Sequence, residues 1–282
     1  MTEIAPRVPV DGVAVTAIGV AVIRARESER LDRLYDDPMA RVFVDAARRG
    51  FTAQRWEQLL RLADEFYEGR TVGVRLVDDR VREALNAGIA QIVLLGAGLD
   101  TRAFRMSMAA ETAVFEIDLP ETFAFKEMVL DSAGATPTCA RHVVVADLRG
   151  NWRDKLLDSG FRTDIPAYWV DEGTLGFLTQ QWSQQVVATL TELSAPGSRF
   201  GAGRYIAEPD NPRYRDLRSL VASESASSTA ADPAVSDFDV EQWLTDLGWN
   251  TEFHSWNDMV AGLGRAVDLP DAHAGNIAAV RR

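Results

Sequence analysis

Residues 91–105 read QIVLLGAGLDTRAFR, and residues 114–120 read VFEIDLP. In each, an apolar run ends abruptly, the first in a glycine turn and the second on an acid 22 positions beyond Gly96. Ile92, Val93, Leu94 and Leu95 are bulky and uninterrupted, as a parallel strand buried on both faces requires. Gly96-Ala97-Gly98 then turns the chain without a bulky Cβ, so a ligand can approach the backbone closely. Residues 114–117 form the neighbouring strand in this reading and leave Asp118 at its carboxyl end, where it can accept hydrogen bonds from both hydroxyls of a ribose. A glycine turn answered by an acid about 20 residues later is the pattern of the nucleotide edge of a doubly wound sheet. The plainer alternative is a small-residue turn that merely starts a helix.

The ligand is narrowed by what the turn lacks. Gly96-Ala97-Gly98 continues as Leu99-Asp100, so the third glycine of a dinucleotide fingerprint is missing. A helix beginning near Thr101 carries Arg102 and Arg105 in its first turns, where the helix dipole disfavours cations, although an arginine can itself contact an anion. The turn therefore favours a nucleoside over a pyrophosphate, and a nicotinamide dehydrogenase is the weaker reading. Asp100 is placed to cap the helix that follows.

Composition bounds the partners. A net charge of −12 argues against non-specific attraction to nucleic acid or to an anionic membrane. Cys139 is the only cysteine, which excludes an intramolecular disulfide and a cysteine-rich metal site, and the three histidines make no metal-binding spacing. No apolar run approaches the ~20 residues that cross a bilayer, and the first residues lack the pattern of a signal peptide. The expectation is a cytoplasmic, soluble enzyme with no metal. With 282 residues and 46% hydrophobic content, one α/β core with a cap fits better than two independent domains.

Along the chain, residues 13–47 are patterned as helix with an interruption at Asp36-Asp37-Pro38, where Asp37 can cap and Pro38 can open the next helix. Arg26, Glu27, Glu29 and Arg30 are expected on a solvated face. Two further helices are expected over 53–67 and 72–87, the second stopped by Gly88. Strands are expected over 92–95, 114–117, HVVVADL, 167–170 and 199–207, with a crossover helix over 182–193 ended by Pro196-Gly197. Residues 209–235, with SESASSTAAD at their centre, break the pattern as a lid or a surface linker. A helix over 239–247 and strands over 249–254 and 276–280 close the chain.

LLGAGLDTRAFR, VFEIDLPE, VVVADLRGNW and WVDEGTLGFL, preceded by RARESERLDRLYDDPMA and followed by the terminal NIAAVRR, resemble the successive motifs of the leucine carboxyl methyltransferase family, in its bacterial and actinomycete branch. The resemblance implies an α/β fold with a doubly wound, mainly parallel seven-stranded sheet. It also implies S-adenosyl-L-methionine as cofactor and methyl transfer to a small-molecule oxygen acceptor, a carboxylate or a phenol or other hydroxyl, with natural-product intermediates among the known acceptors. Carried over residue by residue, it puts Gly96 beside the methionyl portion, Asp118 on the ribose, Asp147 and Leu148 at the adenine, and Glu172 on the methionyl ammonium. Arg75 would answer the methionyl carboxylate, and Arg24 would be a further anion contact.

Two departures concern the acceptor. Gly176 in GTLGFL stands where relatives often have a bulkier residue, and 199–204 is glycine-rich for a strand. His254 is near enough to a strand end to meet an acceptor, or is an ordinary packed histidine. His142 reads as structural, and Trp249, Phe253 and Trp256 read as an aromatic cavity or as core. No catalytic base is assigned. The chain is thus read as a single domain over 1–282 with a helical cap over 1–88 and an inserted lid or linker over 208–236. A cyclase or other non-methylating enzyme on the same fold, and a cofactor-binding scaffold, stay open as alternatives, as does the oligomeric state.

Overall fold

The computed structural model describes residues 8–204, 212–221, 239–265, 267 and 274–282. Helices α1 (Ala14–Ser28), α2 (Pro38–Arg48) and α3 (Ala53–Asn86) precede the first strand, β1 (Gln91–Leu95). There follow α4 (Arg102–Arg105), β2 (Ala113–Asp118), α5 (Pro120–Ser132), β3 (Ala140–Val145), α6 (Trp152–Asp158) and β4 (Ala167–Asp171). Then come α7 (Gln180–Glu192), β5 (Arg199–Arg204), α8 (Pro212–Val221), α9 (Val240–Asp246), β6 (Trp249–Ser255), α10 (Trp256–Val260) and β7 (Gly275–Arg281). The strands form one seven-stranded sheet in the order β3-β2-β1-β4-β5-β7-β6. The first five strands are parallel, and β7 runs antiparallel between β5 and β6. This is the doubly wound α/β architecture that the alternation of apolar runs and helical patterns foretells. Strand order reverses between β1 and β4, which marks the ligand-binding crevice of such sheets.

Side-chain alternation sorts the strands onto two cores. Val93, Leu95, Phe115, Ile117 and Trp169 pack on one face with Trp152 and Leu156 of α6 and Val186, Val187 and Leu190 of α7. Ile92, Leu94, Val114, Tyr168 and Val170 face the other way, onto Val77, Val81 and Ala84 of α3. A third core lies among α1, α2 and the first half of α3, and takes in Leu99 of the glycine turn and Phe125 and Val129 of α5. Asp37 caps α2, accepting from the Ala40 amide at 3.2 Å with Pro38 in the first turn, as the sequence reading has it.

Three expectations about the elements need correction. The helices expected over 53–67 and 72–87 are one helix of 34 residues. Gly69 and Gly73 each weaken it by about 1 kcal/mol relative to alanine, but no proline interrupts it, and its two halves are anchored in different cores. Glu27 is fully buried instead of solvated: its carboxylate accepts from Tyr67 Oη at 2.8 Å, from the Leu34 amide at 2.6 Å and from Arg265 at 2.9 and 3.0 Å. The partner that permits this burial lies 238 residues away, beyond any local pattern. Within 208–236, residues 212–221 form α8, while SESASSTAAD lies outside the described residues, as do 205–207 of the expected fifth strand. No helix among the described residues is long and apolar enough to cross a membrane.

Behind the nucleotide edge, α5 is held to β2 by charge. Glu116 and Lys126 are both fully buried with 2.7 Å between them, and Arg141 donates to the same Glu116 oxygen at 2.7 Å. Breaking a buried pair on one side leaves a charge in a low-dielectric interior, whereas removing both ends together can be neutral. Lys126→Met is accordingly expected to cost roughly 3 kcal/mol in urea unfolding, and the double variant with Glu116→Leu to recover most of that loss.

Candidate functional site

Strand register brings the site together. Leu95 pairs with Ile117 on one side and with Asp171 on the other, so the next residues, Gly96, Asp118 and Glu172, leave the sheet at one level of its carboxyl edge. Asp118 pairs in turn with Val145, which sets Asp147 and Leu148 just beyond the end of β3. Five of the seven residues singled out in the sequence therefore lie along one edge, across the point where strand order reverses.

The glycine turn is tied to the acid opposite it. Gly98, with φ of +50°, donates its amide to Asp118 Oδ2 at 2.6 Å, and the Leu119 amide donates to Oδ1 at 2.7 Å. Burial pushes the Asp118 carboxyl above its ordinary range, and the donations from Gly98 and Leu119 work against that shift. Each oxygen retains a lone pair for a further donor such as a ribose hydroxyl. Gly96 has φ of +65°, and a Cβ added there would overlap the side chain of Thr174. Thr174 is thus one neighbour that requires glycine at this position.

Asp147 is partly exposed. It accepts from the Arg149 amide at 2.8 Å and pairs with the Arg149 guanidinium at 2.7 Å, and the latter contact lowers its pKa. It therefore caps the turn after β3. Leu148 is buried at 7% exposure in the core below.

The arginines divide differently from expectation. Arg75 donates to Asp79 at 2.8 Å and to the Leu34 carbonyl at 3.0 Å, facing the loop between α1 and α2. Arg24 is buried, donating to Asp37 at 2.7 Å, to Thr101 at 3.2 Å and to the Leu99 carbonyl at 2.7 Å, and so clamps that same loop to the glycine turn. The stripe of α3 that faces the site is Arg70, Val74 and Asp78, spaced four apart on one helix face, and Arg75 stands about 100° around from Val74. Arg70 donates to the Glu172 carbonyl at 2.9 Å.

Arg102 and Asp78 are the residues that sequence reasoning missed. Arg102 was noticed only as a poor companion for phosphate, yet it is buried at 2% side-chain exposure among Asp78, Asp100 and Glu172. Burial opposes its charge, and the three acids more than compensate, holding it ionised. Burial also opposes ionisation of Asp100, but Arg102, with Lys126, Arg105 and Arg24, holds that carboxyl down to about 2. Asp100 accepts from the Arg102 amide at 2.7 Å as well, the capping role expected of it. The available signal was Asp78, an acid set among Val74, Val77 and Val81 on an otherwise apolar helix face.

The remaining candidates are structural. His142 stacks on Phe115 at 4.7 Å, and Trp249 is fully buried with its indole donating to Thr191 at 2.9 Å. His254 lies on the edge strand β6, 3.8 Å from Glu252. Trp256 is buried and donates to the Val267 carbonyl. Gly176 has open space where a side chain would stand.

A sequence profile of the leucine carboxyl methyltransferase family matches residues 17–191, more than half of the chain. The chain belongs to that family. Its enzyme class is S-adenosyl-L-methionine-dependent methyltransferase, and its cofactor is S-adenosyl-L-methionine. Two actinomycete relatives, provisionally named S-adenosyl-L-methionine-dependent methyltransferases, bear this out along nearly the whole length. One from Parafrankia sp. is 44% identical over 84% of this chain and 77% of its own, and one from Frankia alni is 38% identical over 96% and 95%. Among solved structures, a methyltransferase-like protein from Thermobifida fusca superposes with a TM-score of 0.51 at 18% identity, over 96% of this chain and 94% of that one. A DUF574 family protein from Streptomyces avermitilis gives 0.52 at 17%, over 98% and 100%. At such identities these two show the shared fold alone.

Two outcomes test this geometry. Gly96→Ala combines a left-handed φ with the overlap on Thr174, and thermal unfolding should register a loss of roughly 2–4 kcal/mol. Asp171, at the end of β4, accepts from the Leu175 amide at 3.1 Å, and burial pushes its carboxyl from 3.8 up to about 6. An acid whose pKa is raised on folding holds its proton more tightly in the native state. Its stabilising effect is therefore full at low pH and is lost as pH rises from the unfolded to the folded value. Asp171→Asn keeps an acceptor for the turn and removes this titration. Urea midpoints should show wild type losing ground to the variant from about pH 4 to about pH 6, by up to about 3 kcal/mol, with no further change above.

Proposed function

We propose that this methyltransferase acts on an oxygen of a small molecule, a carboxylate or a phenol or other hydroxyl, of the kind found in natural-product intermediates. In this reading Asp118 binds the ribose, Asp147 and Leu148 the adenine, and Glu172 the methionyl ammonium, with Gly96 and Gly98 forming the floor. Arg70, on the Glu172 carbonyl, and Arg102, on its carboxylate, are the arginines beside the methionyl end. Arg24 contributes by clamping the α1–α2 loop to the glycine turn, and Arg75 by tying that loop to α3. The observation that supports a cationic, ribose-bearing cofactor is the run of carboxylates, Asp118 and Glu172, at one level of the switch point. When bound, the cofactor supplies an electrophilic methyl carbon on a sulfonium. The protein aligns the acceptor oxygen with it, a contribution of positioning rather than of proton transfer.

A carboxylate acceptor is the better supported of the two. It is already anionic near neutral pH and needs no base, and the acids at the switch point are committed to arginines or to backbone amides. A phenol would need deprotonation, and burial shifts two nearby carboxyls toward that range, Asp118 and Asp171, the latter up to about 6. Purified protein incubated with S-adenosylmethionine and panels of carboxylates and of phenols should yield a product heavier by one methylene from the carboxylates. Gain from phenols alone would reverse that order, and turnover without mass gain would point to a non-methylating reaction. Asp118→Ala should weaken S-adenosylhomocysteine binding by roughly 100-fold in calorimetry, from the loss of two charge-assisted hydrogen bonds, and unchanged affinity would remove Asp118 from the site.

A further inference from the structure

We propose that Arg102 is a positioning residue that aims Glu172 at the α-ammonium of the cofactor's methionyl portion, an inference resting on the reading of Glu172 given above. Arg102 is the one side chain that touches all three walls of the crevice. Its Nε donates to Asp78 on α3 at 2.7 Å, Nη1 pairs with Asp100 in the glycine turn and with Glu172 Oε1 after β4, and Nη2 reaches the Val74 carbonyl at 3.4 Å. The planar guanidinium, fixed at Nε by a fully buried aspartate, presents Nη1 in one direction only. It occupies Oε1 of Glu172, and Oε2 has no hydrogen bond from a described residue.

Charge points the same way. The ion pairs around Arg102 form one connected network, Arg24–Asp37–Arg105–Asp78–Arg102 with Asp100 and Glu172. It contains three arginines and four carboxylates, hence one negative charge in excess. Side-chain exposure is 0% for Asp37 and Asp78, 12% for Asp100 and 24% for Glu172, so the excess charge meets solvent at Glu172. A lysine at 102 would keep the positive charge but, as a single flexible point donor, would not hold Asp78 and Glu172 in one fixed geometry.

The test compares S-adenosylhomocysteine with its analogue in which the α-amino group is replaced by hydrogen, each titrated calorimetrically into wild type, Arg102→Lys and Glu172→Gln. Wild type should prefer the amine-bearing ligand by about tenfold or more, as expected of a charge-assisted contact. Glu172→Gln should abolish that preference. Arg102→Lys should reduce it severalfold by weakening the amine-bearing ligand while leaving the analogue's affinity in place. Equal loss of both ligands in Arg102→Lys, or an undiminished preference, overturns the positioning role. A preference that survives Glu172→Gln overturns instead the assignment of Glu172 on which it rests. Where Arg102→Lys does not fold, Asp78→Asn, which loosens the anchor of Nε, should show the same selective weakening to a smaller degree, and an unaltered preference there counts against the proposal.

Discussion

Arg102 and Asp78 meet where water is excluded, and each charge is sustained there only by buried partners, Asp78 by Arg102 and Arg105 and Arg102 by Asp78, Asp100 and Glu172. Their contact joins the second half of α3 to the first turn of α4, and so fixes where the glycine turn lies relative to the helix that covers it. Asp78 also holds Arg105, which approaches Asp37, the cap of α2, and Asp37 holds Arg24, which binds the glycine turn from above. A single chain of ion pairs thus links the cap helices, the turn and the end of β4. Such networks tolerate little partial loss, because a buried charge deprived of its partner costs several kcal/mol.

The same network explains why the site sits at a switch point that is otherwise a seam between two sheet halves. Backbone hydrogen bonding sets the level at which Gly96, Asp118 and Glu172 emerge, but it does not decide how their side chains are directed. Gly98 directs Asp118 through an amide, and Arg102 directs Glu172 through a guanidinium. The two carboxylates are consequently held by groups of different character, one neutral and one cationic. This suits the first to neutral hydroxyls and the second to a ligand that shares it with an existing positive charge.

What could be read from the amino acids was whatever repeats along the chain or recurs at fixed spacing. The central buried strand β1 announces itself as an uninterrupted apolar run, and Asp118 follows from its distance to Gly96. Contacts between distant segments leave no such trace. Glu27 looks solvated because its neighbours Arg26, Glu29 and Arg30 are charged, and Arg265 is far along the chain. Residues 53–67 and 72–87 read as two helices because propensity is local, whereas the burial that joins them involves two cores at once. Arg75 is carried over by family resemblance, whereas helix phase puts Arg70 on the face that carries Val74 and Asp78. For Gly96 the requirement for glycine was legible, but Thr174, which imposes it, comes from a loop 78 positions on.

The uninterrupted course of α3 bears on how the molecule comes apart. At about 1.5 Å per residue its 34 residues form a rod of about 50 Å, one end built into the cap's core and the other into the sheet's. A hinge at Gly69 would have let the first three helices melt by themselves. With none there, loosening the cap withdraws a wall of the sheet, because one helix packs in both cores.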